Sequence, residues 1–73
     1  MRALKDISCG EKVNVTRINA KALLKRRLMD MGITKGTELT VKKIAPLGDP
    51  LEITVRGYDL SLRKADAEMI EVE

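Results

Sequence analysis

The sequence predicts a mainly β fold: a small barrel of about five short strands, with one α-helix inserted between the first two and a short helical turn before the last. Three observations predict it. Apolar and polar residues alternate in four short runs, at Val13/Val15, Leu39/Val41, Leu51/Ile53/Val55 and Leu60/Leu62, the period of half-buried strands. That period gives way once, between residues 20 and 31, to the spacing of a helix. Gly10, Gly32, Gly36, Gly48 and Gly57, with Pro46 and Pro50, punctuate the runs as turns.

Taken in order, Leu4 and Ile7 stand three apart, which suits one helical turn or an extended lead-in equally. Residues 8–11 form a turn, and the first strand runs from about 12 to 18. Asn19 reads as an N-cap, since its side-chain oxygen can accept a backbone N–H of the first helical turn. Ala20, Leu23, Leu24, Leu28 and Met31 then fall on one stripe facing the core. Lys21, Lys25 and Arg26 fall off it, with Arg27 at its edge. Gly32 suits the left-handed C′ position, placing Ile33 over Leu28 in a Schellman arrangement. Asp30 opposes the helix dipole, and its spacing from Arg26 and Arg27 allows intrahelical pairs.

The second strand is predicted over about 38–44, where Ile44 breaks the alternation by one and implies a bulge. Pro46 and Pro50 lack backbone donors and keep residues 45–50 out of the sheet. Leu51, Ile53 and Val55 point inward from the third strand, Gly57 reverses the chain, and Leu60 and Leu62 point inward from the fourth. Residues 64–68 suit one helical turn and 69–72 a short last strand. So small a sheet closes on itself more readily than it stays open. The expected architecture is an SH3-like small barrel, a single domain over residues 1–73.

Composition narrows the function. A chain of 73 residues buries only about 60% of its unfolded surface. Its net charge of +3 is mild and favours acidic partners weakly. Tyr58 is the one aromatic residue, whereas barrels that bind single-stranded nucleic acid stack bases on aromatic side chains; no nucleic acid is expected. One cysteine, Cys9, has no partner for an internal disulfide, which fits a reducing, cytoplasmic compartment. The charged N-terminus has no signal-peptide core, and no apolar run approaches the roughly 20 residues that span a bilayer.

Enzyme chemistry finds no support. There is no histidine to activate Cys9 and too few nitrogen and sulfur ligands for structural zinc, so neither catalytic residues, metal ligands nor a cofactor are expected. Asp66, Glu68, Glu71 and Glu73 offer at most a weak site for a hard cation. The glycines are dispersed, so no glycine-rich loop opens a helix to cradle phosphate. The basic helix face is the strongest surface feature: Lys21, Lys25 and Arg26 lie within about two turns, and Met29 beside them is either adaptable contact surface or packed under the 46–50 loop. A solvated helix face explains the charges equally well.

Read in order, Leu23–Gly36 with its Leu-Met-Asp-Met-Gly-Ile-Thr-Lys-Gly turn, then Leu47-Gly48-Asp49-Pro50, Val55-Arg56-Gly57, Leu60-Ser61-Leu62-Arg63, Ala67 and Ile70-Glu71-Val72 resemble the FeoA family of small accessory proteins of bacterial ferrous iron transport. Cys9 and Lys35 depart from it, at turn positions where proline is expected in many relatives. The resemblance implies an SH3-like barrel and a partner, the membrane ferrous iron transporter FeoB, which carries a cytoplasmic GTPase domain. It implies an interaction module docked on the transporter's cytoplasmic face, peripheral to the membrane only through that partner, modulating transport or GTP hydrolysis. The interface expected from the residues is Lys21, Lys25, Arg26 and Met29 with Gly48, Asp49 and Pro50. A nucleic-acid-binding barrel and a weak transition-metal carrier or sensor are the alternatives. The chain is expected to be a monomer or a weak homo-oligomer, its exposed barrel edges being able to pair.

Overall fold

The computed structural model describes residues 2–73. It has six antiparallel strands: β1 (Arg2–Ala3), β2 (Lys12–Ile18), β3 (Glu38–Ile44), β4 (Leu51–Val55), β5 (Tyr58–Leu62) and β6 (Ile70–Val72). Two helices join them, α1 (Ala22–Asp30) between β2 and β3, and α2 (Lys64–Ala67) before β6. The strand order is β1-β6-β2-β3-β4-β5. The N-terminal segment uses both conformations its sequence allowed: β1 pairs with β6, and a single 3-10 turn follows at Leu4–Asp6. The count is therefore six strands rather than five.

Strand β2 is the corner of the barrel. Its first half, Lys12–Asn14, pairs with β3, and its second half, Val15–Ile18, pairs with β6. The register shifts between Val15 and Arg17, so the strand bends where it changes partner. A second shift between Val41 and Lys43 is the bulge expected near Ile44. The inward faces meet in an aromatic-free core that includes Val13, Val15, Leu39, Val41, Leu51, Ile53, Val55, Leu62, Ile70 and Val72, sealed by Leu4, Ile7, Leu28, Ile33 and Ala67.

Three expectations about the helix divide. Its end is as predicted: the Gly32 N–H donates to the Met29 carbonyl at 3.0 Å and the Ile33 N–H to the Leu28 carbonyl at 3.0 Å, the two bonds of a Schellman motif. Its start is not. The helix begins at Ala22, its N-cap is Lys21, and no side chain caps it. Asn19 is held elsewhere, its backbone N–H donating to the Met69 carbonyl at 2.7 Å, which ties residues 19–20 to the approach of β6 and delays the helix. The stripe is also narrower. Leu28 is fully buried and Leu24 half-buried, but Leu23 is 78% exposed and Met31 is exposed. Leu23 lies about 140° around the helix from Leu28, too far to share a face resting on a curved wall.

The outer face of β3, β4 and β5 carries a polar network that the bulge at Lys42 brings together. The Lys42 ammonium donates to Asp59 Oδ2 at 2.6 Å, and the Thr54 hydroxyl donates to Asp59 Oδ1 at 2.9 Å. The bond from Lys42, then that from Thr54, holds the Asp59 carboxyl below its ordinary value of 3.8, while Asp59 raises the Lys42 ammonium above 10.5. The Asp59 contribution to stability is present above pH 3.8 and is lost as pH falls through the lowered value in the folded state. The Asp59→Asn variant should therefore lose less stability than the parent between pH 7 and pH 2.5 in urea unfolding. Equal losses would show that the pairing adds nothing.

Candidate interaction surface

The structure separates the residues that the sequence grouped. Lys25 and Met29 lie together on α1 and face β2, lining a cleft of about 340 Å³ with Thr16, Arg17, Ile18 and Lys35. Lys21 belongs to a different, more apolar cleft of about 400 Å³ with Asn19, Ala20, Leu24 and Met69. Arg26 lines neither and projects from the exposed surface of the helix. Asp30 forms no ion pair among the described residues, so the intrahelical pairs its spacing allows are not made.

The Gly48-Asp49-Pro50 loop belongs to another part of the molecule. Ala45 and Pro50 close it through a backbone bond of 3.1 Å, and the Gly48 N–H donates to the Ala45 carbonyl at 2.7 Å. Asp49 turns its carboxylate to the first residue of α2, accepting the Lys64 N–H at 3.0 Å. This is the anion-at-a-helix-start interaction of a cap, supplied by a residue fifteen positions earlier. No hydrogen bond among the described residues joins this loop to α1. Met29, 45% exposed, sits in the β2 cleft rather than beneath the loop.

The cleft between β2 and α1 is therefore the best-formed part of the expected interface. Three cations, Arg17, Lys25 and Lys35, stand around an apolar patch of Met29 and Ile18. None of the three is in an ion pair among the described residues. Thr16 sits where the β2 register shifts, and its buried hydroxyl has no hydrogen-bond partner among the described residues. Arg17 and Lys35 were missed in the sequence because one is a polar residue on a strand and the other a turn residue. Only the folding of α1 back over the bent strand brings them to Lys25. A positive rim around an adaptable methionine suits an acidic protein surface with an apolar centre.

No group of three or more histidine, cysteine, aspartate or glutamate side chains among the described residues converges to hold a metal ion, and the C-terminal carboxylates form no such set. No helix among them is long and apolar enough to cross a membrane.

The strand order and the helix inserted after β2 define a small SH3-like module, with a basic cleft exposed between β2 and α1. A family model, that of the FeoA domain, matches residues 2–73, and the chain belongs to that family. It is 34% identical over 70 residues to the "Fe(2+) transport protein A/Fe(2+) transporter FeoB fusion protein" of Porphyromonas gingivalis, covering 96% of this chain and 8% of that much longer protein. The NMR structure of a FeoA-like protein from Clostridium acetobutylicum superposes with a TM-score of 0.89 at 44% identity, covering 97% of this chain and 83% of the other. FeoA from Stenotrophomonas maltophilia, solved with zinc and described as a prokaryotic SH3-domain protein, superposes with a TM-score of 0.87 at 25% identity, covering all of this chain and 91% of the other.

Proposed function

We propose that the chain is an accessory module of ferrous iron uptake, acting in the cytoplasm by docking on the inner face of the transporter FeoB and modulating transport or GTP hydrolysis. The observation that carries this reading is the fusion: a homologous segment and FeoB occupy one polypeptide in Porphyromonas gingivalis. Segments joined in one chain meet at high effective concentration, which supports contact between a domain of this family and the transporter. The α1/β2 cleft offers a contact surface, with Met29 at its centre, Lys25 on its rim and Arg26 on the adjoining helix surface. The Gly48–Pro50 loop is a second contact on this reading, reached by a partner broad enough to span both.

The test is a binding titration against detergent-solubilised FeoB, with its isolated GTPase domain alongside. Saturable binding to the transporter is expected, and the isolated domain locates the contact. The double variant Lys25→Glu, Arg26→Glu changes only exposed side chains and should keep the fold while weakening binding about tenfold, ~1.4 kcal/mol. Unchanged affinity would remove this face from the interface. No binding of the parent, with or without nucleotide, would overturn the docking reading itself.

A further inference from the structure

A second concavity, of about 580 Å³, opens on the outer face of β2, β3 and β4. The register builds its floor. Lys12 pairs with Thr40, and Thr40 with Thr54. These three form one row across the sheet, facing outward because Val13, Leu39, Val41, Ile53 and Val55 on either side are buried. One wall is the Thr34–Thr37 turn after α1, and the other is the Arg56–Gly57 turn between β4 and β5. The mouth stays open at Gly36 and Gly57, where a side chain would meet nothing within 4 Å.

The lining is rich in hydrogen-bond donors. Lys12, Lys35 and Arg56 contribute three positive charges against the single carboxylate of Glu38. None of the three cations forms an ion pair among the described residues. Thr34, Thr37, Thr40 and Thr54 complete the surface; the Thr54 hydroxyl donates to Asp59 and those of Thr34 and Thr37 bond each other at 2.8 Å, which leaves the Thr40 hydroxyl for a ligand. Arg56 leans toward the turn after α1. Its Nε donates to the Gly32 carbonyl at 3.3 Å and its Nη2 to the Thr34 hydroxyl at 3.4 Å. Two of its five N–H groups are thereby used, and the others are left for a ligand.

We propose that this concavity binds a phosphate-bearing anion of more than one phosphate group. Three cations present more N–H donors than the two oxygens of a carboxylate can accept, whereas linked phosphates carry enough oxygens to engage them. The planar guanidinium of Arg56 is suited to paired phosphate oxygens, and the two lysines act as point charges. No sequence motif marks the site, because strand register and two separate turns assemble it.

The test is an NMR titration of the full chain, labelled with nitrogen-15, using inorganic tripolyphosphate as the probe. Saturable shifts are expected, confined to the amides of Gly36, Thr37, Thr40, Thr54 and Gly57. Lys12→Ala should weaken binding about tenfold, and Glu38→Gln should tighten it; both side chains are exposed and unpaired, so neither change threatens the fold. Shifts that do not saturate, or that spread over Arg26, Arg27 and Lys43, would overturn the proposal as mere ion-atmosphere binding. Equal or tighter saturation by a polyglutamate peptide would overturn it in favour of an acidic protein segment. The experiment contains no transporter, so its failure leaves the docking reading standing, and the reverse holds.

Discussion

Leu28→Ala should cost about 3 kcal/mol of folding stability, read as a lower urea midpoint in circular dichroism. Leu28 is fully buried and is the one residue of α1 in the fully buried core, where it seals the barrel with Ile33. A 73-residue chain has roughly 4–11 kcal/mol of stability in total, so this one truncation removes a large share of it. Leu23→Ala is the matched control. The two leucines belong to one helix and one apolar pattern, but Leu23 is exposed, and its truncation should stay within about 0.5 kcal/mol. Similar losses for the two would contradict the way α1 rests on the barrel.

Gly32→Ala should cost about 2 kcal/mol and lower the melting temperature by roughly 10 °C. Two effects add. The residue has φ = 94°, a conformation that side chains other than hydrogen resist. An added Cβ would also stand 3.3 Å from Arg56 Cδ, the side chain whose Nε is bonded to the Gly32 carbonyl. Gly36→Ala separates the two effects. Gly36 has a similar φ of 87° but nothing within 4 Å of the added atom, so it should cost the backbone part alone. A Gly36→Ala loss as large as that of Gly32→Ala would mean that the Arg56 contact carries no energy. Because Arg56 also walls the outer concavity, Gly32→Ala should disturb the amide signals of Thr34 and Gly57.

Much of this architecture was legible residue by residue. The β2, β3 and β4 strands follow their alternation, and the Schellman end of α1 follows from Gly32 and Ile33, because local hydrogen bonding and side-chain period suffice to specify them. The bulge in β3 was legible for a similar reason: Ile44 falls out of phase with Leu39 and Val41. Other features were not. Asn19 has the chemistry of an N-cap, but a backbone bond to Met69 competes for it across fifty residues of chain. Leu23 has the spacing of a core residue, but how wide a helical stripe is buried depends on the curvature of the surface beneath it.

What the sequence determined by itself is the helices, the strands from Lys12 onward, the inward residues of those strands and the family, because each rests on local periodicity or on motifs read in order. What the tertiary structure alone decided is the surface. Lys25 stands with Arg17 and Lys35 because β2 bends at its register shift and α1 folds back over it. Lys21 goes to another cleft, and the Asp49 loop is tied to α2. Lys12, Lys35 and Arg56 line one concavity because strand pairing places Lys12 between the two turns that carry the others. Exposed charges gain too little from any one neighbour to dictate where they lie. The backbone register chosen by the buried aliphatic residues places them.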